Sequence, residues 1–80
     1  MNDIMLFGEG WGGEVRKIEP HLWQFNFIPA PADPHLREVM FTVLEYVSDD
    51  GDIYKVGYTG KEPFAEDIRE AIFRYRPNPV

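Results

Sequence analysis

The stretch from Val39 to Thr59 constrains the fold more than any other. Two runs rich in β-branched and aromatic residues, Val39–Val47 and Ile53–Thr59, flank Ser48-Asp49-Asp50-Gly51-Asp52. Such runs suit a pleated, half-buried surface. Asp49-Asp50-Gly51 is a turn signal, because glycine takes positive φ without a Cβ penalty. A tight loop there puts Val47 opposite Ile53, Tyr46 opposite Tyr54, Glu45 opposite Lys55 and Leu44 opposite Val56. Each is a favourable cross-strand pair. One face of this hairpin then collects Thr42, Leu44, Tyr46, Tyr54, Val56 and Tyr58.

The first arm also fits a helix. Leu36, Val39, Met40, Val43, Leu44 and Val47 recur at helical spacing, with Asp33-Pro34 as N-cap and first helical residue. Against this, Glu45, Asp49, Asp50 and Asp52 would crowd the negative end of the helix macrodipole. The strand formers of the arm also argue for the hairpin.

The preceding residues read as further sheet. Asp3 to Phe7 is a short apolar run that predicts a strand. Glu14 to Ile18 and Leu22 to Ile28 predict a second hairpin around Glu19-Pro20-His21. Within it Trp23, Phe25 and Phe27 alternate with Gln24 and Asn26, the period of a strand with one buried face. Between them, Gly8-Glu9-Gly10-Trp11-Gly12-Gly13 reads as a flexible loop or bulge around Trp11. It is not a phosphate loop: no helix pattern follows, no Lys-Ser/Thr closes it, and Glu9 and Glu14 would repel phosphate. Pro29-Ala30-Pro31-Ala32-Asp33-Pro34 is a stiff connector that stops sheet pairing.

Glu62 to Tyr75 predicts a helix. Pro63 suits the first turn. Acidic residues come early and Arg69, Arg74 and Arg76 late, matching the macrodipole, and Glu70 and Arg74 form an i,i+4 pair. Phe64, Ile68, Ala71, Ile72 and Tyr75 make the buried stripe, with Phe73 nearly opposite. Pro77 and Pro79 end the helix. The fold class expected is α+β: one domain over residues 1–80, with a small, mostly antiparallel sheet of two hairpins and residues 3–7 as an added strand. The C-terminal helix covers one face.

Composition narrows the function. The 80 residues carry 14 acidic and 8 basic side chains, a net charge of −6. That disfavours binding to a phosphate backbone, which needs a concentrated basic surface. It favours a basic protein partner. The absence of cysteine excludes thiolate chemistry and fits a reducing compartment, so a cytoplasmic location is expected. No long apolar run or basic leader region points to a membrane.

Catalytic patterns are sparse. Ser48, Thr42 and Thr59 lack a nucleophile-elbow context. His21 and His35 lack zinc spacing, and Asp33 with His35 suits turn and cap roles better than a metal. Asp49, Asp50 and Asp52 resemble the opening of a calcium loop, but no terminal Glu or liganding series follows. Trp23, Phe25 and Phe27 lack the basic neighbours of a base-stacking platform. A chain of this size has little room for a substrate cleft. No catalytic residue, metal or cofactor is implied.

One motif carries a resemblance. Tyr54-Lys55-Val56-Gly57-Tyr58-Thr59, preceded by a hairpin and followed by a helix, resembles the second strand of GIY-YIG nuclease domains, over about Phe41 to Ile72. The resemblance implies a role for Tyr54. Val43 stands where that family's first tyrosine would be, and Arg69 lies further along the helix than its arginine. Only eight residues follow Ile72, so the later glutamate that binds metal has no counterpart.

The function expected is a non-catalytic protein-binding module, a small acidic inhibitor or adaptor. Inhibitors that phages direct against nucleic-acid-handling machinery are one such class. The binding residues expected are Glu9, Trp11 and Glu14 on the Gly-rich segment, Asp49, Asp50 and Asp52 at the hairpin tip, and Phe73 on the helix. The alternatives are a degenerate nuclease-like domain and a structural subunit that pairs through a strand edge.

Overall fold

The computed structural model describes residues 1–29 and 37–80. Most of the proline connector, with Asp33, His35 and Leu36, lies outside the described residues. The elements are β1 (Asn2–Gly8), β2 (Trp11–Ile18), β3 (Gln24–Phe27), β4 (Val39–Val47), β5 (Ile53–Tyr58) and α1 (Ala65–Tyr75). The fold is α+β: a curled five-stranded sheet of order β2-β1-β5-β4-β3, with one C-terminal helix. The sheet is mixed, because β1 and β5 run parallel while the other neighbours are antiparallel.

The β4–β5 hairpin has the register that its side chains demand. Val47 faces Ile53, Tyr46 faces Tyr54, Glu45 faces Lys55 and Leu44 faces Val56. Ser48 N–H donates to the Asp52 carbonyl at 2.8 Å, and Gly51, at φ +89°, donates to the Ser48 carbonyl at 2.9 Å. Residues 39–47 are strand, so the helical alternative for them is set aside.

The second expected hairpin does not form. β2 pairs with β1, and β3 pairs with β4 at the far edge. The Gly-rich segment is itself the β1–β2 hairpin, closed by Gly8 opposite Trp11. Glu9 and Gly10 occupy its turn with φ of 50° and 89°. Positive φ at both central positions matches the right-handed twist of the flanking strands. Segment 19–23 then crosses toward the far edge. Its Pro20 carbonyl accepts a 2.6 Å hydrogen bond from Lys55 Nζ, and the Trp23 ring lies 5.2 Å from that ammonium. Lys55 is therefore buried and does not pair with Glu45 opposite it.

Both faces of the sheet are covered. On the concave face Ile4, Leu6, Ile18, Phe41 and Val43 are buried, with Trp11, Leu22, Phe25, Phe27 and Val39 packed around them. On the other face Met5, Phe7 and Val56 meet Ile68 and Ala71 of α1. β1 lies between the two layers, and its residues Asp3 to Phe7 are all buried. A strand covered on both sides reads as a continuous apolar run rather than an alternation.

α1 begins later than its pattern suggests. Pro63 precedes the helix, and Phe64 is its extended N-cap, 62% exposed with Lys61 Nζ 4.7 Å from its ring centre. Phe64 therefore drops out of the buried stripe. The Asp67 carboxylate accepts from Phe64 N–H at 3.3 Å, which satisfies one orphan donor at this end. Glu70 and Arg74 do not reach ion-pair distance; among the described residues the only such pair joins Lys17 to Asp3. No described helix is long and apolar enough to cross a membrane.

The C-terminal tail folds back across the start of the sheet. Val80 N–H donates to the Ile53 carbonyl at 2.7 Å, and Asn78 N–H donates to Asp3 Oδ2 at 2.8 Å. The Asn78 amide, and then Lys17, hold the Asp3 carboxyl below its ordinary range against the opposing effect of burial. A depressed carboxyl contributes stability above its unfolded pKa, about 3.9, and loses it as pH falls through the folded value. We expect the denaturation midpoint to fall more steeply between about pH 5 and about pH 2 in the wild type than in Asp3→Asn. Parallel curves would show that the tail latch adds no pH-dependent stability.

Candidate binding face at the hairpin tip

The β4–β5 turn carries Asp49, Asp50 and Asp52, all exposed. Strand pairing below them holds the tip in place, and α1 flanks it. Between tip and helix lies a hollow of about 200 Å³ lined by Tyr46, Ser48, Asp49, Asp50, Tyr54, Arg69 and Ile72. Tyr46 and Tyr54 face each other across the ladder and point to the helix side. The exposed Arg69 guanidinium lies against Tyr46. That polar contact and the field of Tyr46 raise the Arg69 pKa, with smaller help from Asp49 and Glu66. Ser48 Oγ is buried with no hydrogen-bond partner among the described residues.

A second hollow, of about 400 Å³, continues along the helix and is lined by Tyr54, Arg69, Ile72, Phe73, Arg76 and Pro77. Phe73 is 76% exposed, and the Arg76 guanidinium lies 5.5 Å from its ring centre. Asp49, Asp50 and Phe73 thus belong to one continuous face.

Glu9, Trp11 and Glu14 do not join it. β1 runs parallel to β5, with Ile4 beside Lys55 and Phe7 beside Tyr58, so the β1–β2 turn lies at the opposite end of the sheet from the tip. The Glu14 side chain accepts from Gly12 N–H at 2.6 Å. The expected acidic surface is therefore two separate clusters. Trp11 closes the curl: its indole N–H donates to the Ile28 carbonyl at 2.9 Å and its ring lies 5.7 Å from that of Phe27. It ties one edge strand to residues leaving the other. We expect Trp11→Phe, which keeps the ring packing but leaves the Ile28 carbonyl without this donor, to cost about 1–3 kcal/mol in chemical denaturation. A change within error would mean that the hydrogen bond does not hold the curl.

The edge of β2 is poorly suited to pairing. A register shift at Gly13 bends it, and Arg16 donates from its guanidinium to the Val15 carbonyl at 2.8 Å. Bulges and charged side chains are the usual means of blunting an edge. Among the described residues no three of His, Cys, Asp and Glu converge to hold a metal ion.

Sequence reasoning missed Tyr46, Ser48, Arg69 and Arg76 as members of the face. The hairpin register already paired Tyr46 with Tyr54, whereas Arg76 is the left-handed C-cap of α1, so helical periodicity does not place it beside Arg69. The approach of the helix to the tip has no local signal. No known family, curated protein or solved structure is matched by this chain.

Proposed function

We propose that the chain is a non-catalytic protein-binding module whose hairpin tip offers Asp49, Asp50 and Asp52 to a basic partner. One observation carries this reading. Three exposed carboxylates crown a strand-paired hairpin, and none makes an ion pair among the described residues. The net charge of −6 has the same sign and would steer a basic protein toward the chain. Inhibitors and adaptors work by such contacts, and an inhibitor of nucleic-acid-handling machinery would meet a basic surface there.

Charges at the rim of an interface mainly set association rate and its salt dependence. Asp49→Asn with Asp50→Asn is expected to leave the fold intact, since Asn serves turns well. It is expected to slow association with a captured basic partner at low ionic strength, and the deficit should shrink as salt rises. An unchanged rate at low salt would remove the tip from the reading.

A second reading is a nuclease-related domain without retained activity. The observation in its favour is the Tyr46, Tyr54 and Arg69 cluster on a hairpin followed by a helix, the part of the chain that resembles GIY-YIG domains. Metal-dependent nicking of plasmid DNA that disappears in Arg69→Ala would replace the binding reading with an active one.

A further inference from the structure

We propose that the tip and the outer side of α1 form a self-complementary face that joins two copies of this chain about a two-fold axis. The acidic tip of each copy sits in the arginine-flanked groove of the other. The two halves lie side by side: the tip hollow and the helix groove share Tyr54, Arg69 and Ile72. Arg69 on α1 and Arg76, the left-handed residue that caps its C-terminus, both line the helix groove. Phe73 lies between them at 76% exposure. Arg76 has no carboxylate at ion-pair distance among the described residues, and Asp49, Asp50 and Asp52 have no cation at that distance.

An interface about a two-fold axis uses the same patch twice, so that patch must carry both members of every pair. This face does. A basic protein would use only the tip half and leave Phe73 and Arg76 uncovered. An acidic one would use only the groove and meet the tip carboxylates as like charges. A second copy presents the groove to the tip and the tip to the groove, and covers both Phe73 rings. Arg and aromatic side chains are the residue types that anchor interfaces. The net charge of −6 on each copy opposes approach, so association is expected to be firmer at physiological ionic strength, where long-range repulsion is screened, than in dilute buffer.

The inference shares its acidic half with the basic-partner reading but does not depend on it. A chain that dimerises yet captures no basic protein keeps this inference and loses that one. The test is sedimentation velocity over a roughly hundredfold range of concentration, because self-association follows mass action. Wild type is expected to shift from monomer to dimer. Asp49→Arg with Asp50→Arg is expected to stay monomeric, since its tip would face Arg76 of the other copy. Arg76→Glu is expected to stay monomeric for the converse reason. Circular dichroism checks that both variants are folded. An equal mixture of the two is expected to regain the dimer, because each reversed half then meets its opposite. A wild type that stays monomeric throughout overturns the proposal. So do charge-reversed variants that associate like wild type, or a mixture that shows no recovery.

Discussion

Phe41→Ala is expected to lower the unfolding free energy by about 3–5 kcal/mol, the usual cost of deleting a large aromatic from a core. Phe41 is fully buried in β4. Its ring stacks on that of Phe25 with centroids 5.4 Å apart, and Ile4, Leu6 and Val43 complete the concave layer around it. The whole chain has only about 4–12 kcal/mol to lose at ordinary stability per residue. Urea denaturation is therefore expected to find the variant largely unfolded or close to it at 37 °C. Phe41→Leu fills most of the volume and should cost much less. If alanine and leucine cost the same small amount, the concave layer is not a packed core.

Gly13→Ala is expected to cost roughly 2–6 kcal/mol, from backbone strain and overpacking of about 1–3 each. Gly13 is buried, at φ +106°, at the register shift between β1 and β2. A Cβ there would stand 2.5 Å from Cβ of Ala71 and 3.3 Å from Cζ of Phe7. Here α1 packs against the edge strand β2, and neither neighbour is the free end of a flexible side chain. A double-mutant cycle separates the two contributions. In an Ala71→Gly background the overpacking against the helix should be relieved, while the strain and the closer approach to Phe7 remain. An equal penalty for Gly13→Ala in both backgrounds would show that the helix contact plays no part.

The β4–β5 hairpin was legible because all its signals are local. Asp-Asp-Gly marks the turn, and alternating side chains then leave one favourable register. The Asp3–Phe7 run and the apolar stripe of α1 were legible for the same reason. The β1–β2 hairpin was hidden because Glu9-Gly10 is a poor advertisement for its turn. Asn or Asp before Gly is the usual signal, and glutamate takes positive φ at a cost. Gly12 and Gly13 carry the composition of a loop, although both are strand residues, and Gly13 is kept small by Ala71 of the helix. Which edge β3 joins depends on where segment 19–23 crosses, and no residue pattern within β3 encodes that.

The candidate face was legible to the same degree. Its acidic half and Phe73 could be named from turn chemistry and helical periodicity. Arg69 looked like an ordinary helix-terminal cation, and only the packing of α1 beside the hairpin brings it to Tyr46. Charge sums carry no positional information, so nothing in the sequence separates Glu9 and Glu14 from the tip. The parallel alignment of β1 and β5 places them at the other end.

That parallel alignment also sets an order of events. The β4–β5 hairpin and α1 are sequence neighbours and can form from local contacts. β1 pairs locally with β2, but it joins the rest of the sheet only when residues 4–7 meet residues 55–58, which closes a loop of about fifty residues. Folding kinetics are therefore expected to show a nucleus of hairpin and helix, with mutations in β4 and β5 slowing refolding and mutations in β1 mainly speeding unfolding. During synthesis Ile4, Met5, Leu6 and Phe7 emerge before β4, β5 and α1, which supply most of their covering residues. The most buried strand of the finished protein is thus the one most exposed while the chain is being made, and its apolar run is where premature association would start.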